Sequence, residues 1–413
     1  MNKSTTTAPP KGYKNTSIGL IPIDWEVMRL GETGKVVTGN TPSRTDLSLW
    51  NGDFWWATAK DFKEKYINDT VEKITEKGCN GARLLPKGAI LITCIASIGN
   101  NAIAAVPLAT NQQINSIIVS DDFNNEWLYY QLDFYKQNLE LLASKTAVPL
   151  INKSEFEKLK LPIPPLPEQQ KIAEILSTWD DAITNCKTTI NTLKDRNKGL
   201  AQQLLTGKKR LSGFSDKWKK TQLGNIINRV TSKNEELNDT VVTISAQRGF
   251  VLQEDFFNKR VASDTLSGYY LINKGQFAYN KSYSNGYPMG AFKRLNDFEK
   301  AVVTTLYICF ELKENICSDY MVHFFENGFM TNNLMKIAKE GGRAHGLLNI
   351  GLEDFMSLEL TIPSIEEQNA IAQVLETATQ ELKSYQDKLE ALQLQKKGLM
   401  QQLLTGKIRV NVN

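Results

Sequence analysis

Apolar residues recur at alternating steps of four and three along two stretches of the chain. The first stretch runs Ile172, Leu176, Trp179, Ile183, Cys186, Ile190, Leu193, then polar Asn197, then Leu200 and Leu204. The second runs Ile371, Leu375, Ala378, Leu382, Tyr385, Leu389, Leu392, then polar Lys396, then Leu399 and Leu403. Spacing of this kind is the seam of a coiled coil, sustained here over about five heptads. The polar residue occupies the same slot in both copies. Such a residue fixes register, or it marks a fraying end, and the pattern allows either. Prolines precede each stretch and Gly207 and Gly406 follow, which are ordinary start and stop signals for a helix. A helix from Glu168 to Leu205 would be about 57 Å long at about 1.5 Å per residue.

The two stretches belong to an internal repeat. LPIPPLPEQQKIAEILS at Leu161 recurs as LTIPSIEEQNAIAQVLE at Leu360, 199 residues later. GLAQQLLTGKKR at Gly199 recurs as GLMQQLLTGKIR at Gly398 with the same offset. Upstream the match loosens: Trp25 and Leu30-Gly31 recur as Trp218 and Leu223-Gly224, offset by 193. Each half is therefore a variable globular block followed by a well-kept helical segment. The expected division is a disordered tail to residue 19, a first block over 20–160, a helical spacer over 161–209, a second block over 210–359 and a second spacer over 360–413. Two helices sharing one seam in this chain order must run antiparallel. The expected arrangement is a pseudo-two-fold dumbbell with neighbouring chain ends.

Within the blocks the apolar period is shorter and mixed. Residues 88–93 and 114–119 read as strands in the first block, and 241–245, 276–279 and 302–310 in the second. Residues 127–142 and 321–339 read as helices. The fold class is α+β: two globular α/β domains separated by two long antiparallel helices.

Composition removes several function classes. The net charge of +4 permits nucleic-acid binding without arguing for it, so a binding face has to come from local segregation of charge. No apolar run approaches about 18 residues, which leaves no candidate membrane helix. Cys79, Cys94, Cys186, Cys309 and Cys317 are scattered and odd in number, as for inert thiols in a reducing cytoplasm. The two histidines, His323 and His345, form no zinc-binding cluster with them. The sequence has no phosphate-binding Walker loop, no nucleophile elbow, no dinucleotide loop, and no Asn/Asp-Pro-Pro-Tyr/Phe stretch of the amino-methyltransferase kind.

The Pro-rich lead into PEQQKIAEIL, the heptads and the closing QQLLTGK resemble the conserved regions of Type I restriction–modification specificity subunits. Thr38-Gly-Asn-Thr-Pro-Ser43, with Trp50, Gly52-Asp53 and Lys60-Asp61, resembles the opening of one class of their target-recognition domains. Ser97-Ile-Gly99-Asn100 and Asn111-Gln-Gln113 resemble its later motif. Arg248-Gly-Phe250, Phe277-Ala-Tyr-Asn280 and Gly341-Gly-Arg343 resemble another class. One departure is Asn280-Lys-Ser-Tyr283-Ser-Asn-Gly-Tyr287, where relatives often carry a Pro and an Arg, so no target sequence can be transferred. The resemblance implies a non-catalytic subunit that reads a bipartite site on double-stranded DNA, one half per domain. It implies two modification subunits that carry S-adenosylmethionine, and restriction subunits that carry ATP- and Mg-dependent translocation and cleavage. This chain would hold no cofactor of its own.

Local charge suggests where DNA is met. Residues 81–119 contain no acid but contain Arg83, Lys87, Asn100, Asn111, Gln112 and Gln113. Asn and Gln can pair bidentately with adenine, and Arg with guanine; the same amides can instead cap turns. The resemblance adds Asn40, Thr41, Ser43, Arg44 and Lys60 to this set. In the second block, 278–296 is acid-free and carries Lys281, Lys293 and Arg294 with Tyr279, Tyr283 and Tyr287 among glycines and serines. Core packing competes with DNA contact for Tyr279. Arg248, and Arg343 with His345 in a Gly-rich loop, complete the candidates. A scaffold of two binding modules on a coiled coil, indifferent to DNA, is the rival that composition leaves standing.

Overall fold

The chain was analysed as a computed structural model, which describes residues 9–143, 148–259, 261–263, 265–338 and 348–412. It divides into two compact units, Met1–Lys187 with Asp387–Asn413, and Thr188–Gln386. The two long helices, Leu166–Leu204 and Ile365–Leu403, are each 39 residues long and each contribute to both units. The mixed α/β class with two long helices is as the sequence led one to expect.

In the first unit a five-stranded sheet has the order Gly34–Thr38, Ile114–Val119, Ile90–Thr93, Asn101–Ala104, Tyr66–Ile67. All neighbours are antiparallel except the last pair. A three-stranded sheet sets Trp50–Ala57 between Leu108–Thr110 and Glu72–Ile74. In the second unit a four-stranded antiparallel sheet orders Ile227–Arg229, Ile308–Leu312, Phe277–Asn280 and Ala291–Arg294. The repeat is visible in the short pairings that close each block. Glu26–Arg29 pairs Lys160–Ile163, and Lys219–Gln222 pairs Glu359–Ile362, both antiparallel.

Helix pairing is antiparallel within each unit. In the first, Lys396 donates to Asp180, and further along, Met400 and Leu403, with Leu404 just past the helix end, share a core with Ile172 and Leu176. In the second, Asn197 donates to the Ala378 carbonyl at 2.7 Å, while the preceding Arg196 pairs with Glu381 at 2.7 Å. The two polar seam slots are thus partnered. Ile172, Leu176, Ile183, Cys186, Ile190, Leu193, Leu204, Ile371, Leu375, Ala378 and Leu403 are buried. Trp179, Leu200, Leu382, Tyr385, Leu389, Leu392 and Leu399 are half-buried.

Each kept motif ends on a buried carboxylate. Glu168 accepts from Trp25 Nε1 at 2.9 Å and from Arg409 at 2.7 and 2.8 Å. Glu367, at the repeat-equivalent position, accepts from Trp218 Nε1 at 3.1 Å and from Arg210 at 2.6 and 2.7 Å. The next residue, Gln169 or Gln368, binds the carbonyl of Pro164 or Pro363 and takes the amide of Asn124 or Cys317, each the N-cap of a short helix in its block. Gly207 and Gly406 sit at φ 69° and 70°. That left-handed turn, cheap only for glycine, reverses the chain so that Arg210 and Arg409 reach the carboxylates.

Four elements differ from the sequence reading. Residues 127–142 form two helices, Asn125–Phe134 and Lys136–Leu142, broken at Tyr135; the first buries Trp127, Leu128, Tyr130 and Leu132, the second only Leu139. Residues 321–339 likewise break into Ser318–Glu326 and Thr331–Ile337, with Gly328 at φ 72° between them. Residues 302–310 belong to two strands, Lys300–Val303 and Ile308–Leu312, because Thr304 makes a turn, accepting from Leu306 and Tyr307. Residues expected in a tail form a hairpin, Tyr13–Thr16 with Gly19–Pro22, tied down where Tyr13 donates to the Gly406 carbonyl at 3.0 Å.

The clasp makes a stability prediction. Glu168→Ala strands the Trp25 indole N–H and the Arg409 guanidinium. Breaking a fully buried pair costs about 3–5 kcal/mol, and the partial exposure of Arg409 reduces this to about 2–3 kcal/mol. The expected result is a lower urea midpoint, with exposed Glu140→Ala as an unchanged control.

Candidate nucleic-acid interface

In the first unit three strand ends converge. The strand Gly34–Thr38 leaves its sheet at Gly39, whose N–H donates to Ile114 O at 3.0 Å; Asn40 N–H donates to Thr110 O at 2.8 Å. Asn111 N–H donates to Ala57 O at 3.1 Å, at the end of the strand Trp50–Ala57. A Cβ at Gly39 would overlap the Asn111 carbonyl oxygen, so the loop after residue 38 lies flat on the 110–113 turn.

This packing gathers motifs distant in sequence. Thr41 donates to Gln112 Oε1 at 2.5 Å, Asn40 Nδ2 to Gly81 O at 2.6 Å, and Asn111 Nδ2 to Gln113 Oε1 at 3.3 Å. Ser43 bonds Thr45 at 2.9 Å. Asn40, Ser43, Arg44, Lys60, Gln112 and Gln113 are exposed; Thr41 and Asn111 are half-buried. Lys60 follows the strand at Ala57, in a short turn capped by Thr58. Asn100 stands nearby through Thr93 and Cys94, which bond Asn100 and Gln113. Its side-chain oxygen, however, is held by Lys136 Nζ at 2.6 Å.

Arg83, from the acid-free stretch, joins this face, and three residues outside the candidate set join it too. Arg83, exposed, donates to Thr38 O at 2.6 Å. With Lys87 it is one of the two cations of the acid-free stretch, which was the signal for it. Trp50 and Trp56 donate through Nε1 to Ser43 O at 3.0 Å and Asn40 O at 3.2 Å, pinning the loop from beneath. Trp56 is buried and its neighbour Trp55 half-buried, as alternation on a strand requires. Glu72 binds Arg44, whose guanidinium holds the carboxyl below its usual range. No sequence pattern linked those two residues.

In the second unit Gln247 and Arg248 occupy the turn between Val242–Ser245 and Gly249–Leu252. Gln247 Nε2 reaches Asn285 O at 3.0 Å and joins this turn to the loop carrying Lys281, Tyr283 and Tyr287. Arg248 is exposed and lies 5.7 Å from the Phe256 ring centroid. Tyr283 is 64% exposed, and the Lys281 carbonyl accepts from Leu348 N–H at 2.9 Å. Tyr287 faces inward: it donates to Glu326 at 2.7 Å, and burial with that carboxylate pushes its hydroxyl up. Lys293 is buried against Glu326 and Arg294 pairs with Asp319. The acid-free stretch is therefore neutralised by a helix from elsewhere in the chain. Tyr279 is core, stacked on Phe292 and Phe355. Arg343 and His345 lie outside the described residues. Burial pushes the Cys94 thiol up to about 11 and the Cys309 thiol up to about 12, as inert thiols require.

The Gly39 packing is testable. Gly39→Ala should lift residues 40–44 from 110–113, cost about 1–3 kcal/mol as an overpacked contact, and speed amide exchange at Asn40. Unchanged exchange there would mean the loop is not held by that contact.

A family model described as the Type I restriction modification DNA specificity domain matches residues 22–195 and again 215–394. The MjaIX specificity subunit of a Type I restriction enzyme from Methanocaldococcus jannaschii is 39% identical over 182 residues, spanning 42% of either chain, so the match covers less than half of that relative. The MjaVIII specificity subunit of the same organism is 24% identical over 425 residues, 95% of either chain. Among solved structures, the Type I restriction–modification S subunit from M. genitalium aligns with a TM-score of 0.54 at 17% identity. That alignment covers 92% of this chain and 96% of the other, and it establishes likeness of fold.

Proposed function

We propose that this chain, which belongs to the Type I restriction–modification DNA specificity family, reads a bipartite site on duplex DNA, one half through each unit. The observation that carries this reading is the doubled family match, one copy for each globular block and its helix. The convergence of amides and cations at 40–44, 60, 83 and 111–113 supports a reading face in the first unit. Amides offer paired donors and acceptors to adenine, and guanidinium groups offer paired donors to guanine, in a major groove wide enough to admit them. The exposed Arg248 and Tyr283, with the half-buried Lys281 beside Tyr283, support a corresponding face in the second. Exposed lysines contribute to phosphate contacts, which position the protein without specifying sequence.

In this reading the subunit does no chemistry. S-adenosylmethionine acts in two modification subunits that dock on the kept helical segments, and ATP and Mg act in restriction subunits. The complex works in the cytoplasm; among the described residues no helix is long and apolar enough to cross a membrane.

Replacing residues 20–155 with the corresponding block of a relative should change one half of the motif in which adenines are methylated and leave the other half intact. Mapping methylated adenines in cells carrying the chimera measures this. Simultaneous change of both halves would sink the two-reader assignment.

We further propose that the helices set the unread gap between half-sites. One added heptad after Ile190 and another after Leu389 keep the seam in phase. Each helix lengthens by about 10 Å, which corresponds to about three base pairs at about 3.4 Å each. Residual methylation should show both half-sites with a gap longer by about three base pairs. An unaltered gap would mean that the helices are not the ruler.

A further inference from the structure

We propose that Arg44 reads a guanine in the half-site of the first unit, and that Glu72 and Trp50 are the positioning residues that hold it ready. This rests on the reading that the first unit's 40–44 face meets DNA.

The geometry has three parts. First, the carboxylate of Glu72 receives both terminal nitrogens of Arg44, Nη1 on Oε1 and Nη2 on Oε2, the latter at 3.1 Å. Second, the guanidinium carbon lies 3.8 Å from the Trp50 ring centroid and 4.9 Å from that of Trp56. The plane of the group is thereby set as well as its position. Third, the supports are rigid. Glu72 begins the strand Glu72–Ile74, where it pairs with Trp56 across the ladder. Trp50 and Trp56 are buried and tie the Arg44 loop to the sheet through Ser43 and Asn40.

A guanidinium has five N–H donors in a fixed fork. The carboxylate takes one hydrogen from each terminal nitrogen, at the far end of the group. The side edge, made of Nε–H and the neighbouring Nη–H, has no partner among the described residues. Those two parallel donors match the O6 and N7 acceptors that guanine presents in the major groove, a pattern that no other base pair offers at that edge. The ion pair is itself open to solvent, with Arg44 at 52% and Glu72 at 38% side-chain exposure, so DNA can approach it. An arginine free in solution loses rotamer freedom on binding. Arg44 has already lost most of that freedom, so a bidentate contact retains more of its value. Glu72 also places a negative charge beside the backbone of any duplex that docks, which disfavours contacts that the base edge does not reward.

Electrostatics alone would predict a different behaviour for Glu72. A bystander acid near DNA weakens binding to all sequences alike, and its removal strengthens binding without changing base preference. A positioning acid changes preference at one base pair.

The test uses the chain assembled with its modification subunits. Probes are duplexes bearing the motif obtained by mapping methylated adenines in the host, together with all single-base variants and a scrambled duplex. For Arg44→Ala we expect discrimination at one guanine position of one half-site to fall by about tenfold or more. Glu72→Gln, which keeps shape and removes charge, should lower discrimination at that same position while binding to the scrambled duplex holds or tightens. In the Arg44→Ala background, Glu72→Gln should have no further effect on that position. Unchanged melting of both variants in the absence of DNA ties these effects to recognition. The proposal is overturned if Arg44→Ala leaves every guanine preference intact, or if Glu72→Gln only strengthens binding to all duplexes equally. Failure of the wild-type complex to distinguish motif from scrambled duplex would instead remove the DNA reading on which the proposal rests.

Discussion

A carboxylate with almost no solvent contact has to be paired, and the pairing of Glu168 and Glu367 organises each half of the chain. Desolvating such a group costs several kcal/mol unless donors replace the lost water. Here the donors come from two separated places, an indole at the start of each block and an arginine beyond the end of a long helix, and they meet on the helix-starting segment that bears the acid. Satisfying one charge therefore fixes where the chain enters and leaves the helices. The adjacent glutamines extend the constraint to the N-caps of the helices Asn125–Phe134 and Ser318–Glu326. The Glu-Gln pair at 168–169 and 367–368 and the motif LLTGK-x-R are two parts of one device, which explains why they recur together at a single offset.

The scaffold was legible in the sequence because its signals are periodic or duplicated. The seam shows as fours and threes, and the clasp residues survive in both copies. The proposed reading faces were only partly legible, and the misreadings share a cause. The stretch 278–296 lacks acids along the chain, yet Glu326 and Asp319 on the helix Ser318–Glu326 meet Lys293 and Arg294 in space. Glu72 meets Arg44 in the same way. Charge segregation along a sequence is not charge segregation on a surface when strands and helices from elsewhere complete the face. Helix lengths failed for a different reason. An apolar stripe continues through Tyr135 and Gly328 in the sequence, but the helix breaks there, and the second piece of each pair buries a single residue, Leu139 or Leu334.

Equivalent positions in the two units also show how a kept frame accepts different chemistry. In the first unit Lys396 donates to Asp180, which also accepts from Tyr130. Tyr130 in turn meets Lys65 and Ser177, and Ser177 donates to Glu126. In the second unit the matching slot is Asn197, bonded to a backbone carbonyl, and His323 takes the place of Tyr130 beside Glu376 at 3.8 Å. Burial lowers the His323 pKa, against the pull of the nearby acids. One slot is thus served by a charged network and the other by an amide. What both preserve is a satisfied polar group in an apolar seam, which is the physical requirement of the position.

The same requirement shapes the proposed reading face of the first unit. Asn40, Thr41, Arg44, Asn100 and Asn111 each already hold a protein partner. Recognition in the proposed function is then an exchange of bonds or an addition to them, and exchange yields little net affinity because the free protein was satisfied beforehand. Affinity must come mainly from phosphate contacts, and base contacts contribute by the cost of a mismatch, when a donor has left its protein partner and finds none on the DNA. A side chain whose protein bonds leave one edge unused escapes that cost, because it adds a contact without surrendering one. Partnering in the free state, more than exposure, therefore separates the side chains of such a face into anchors and readers.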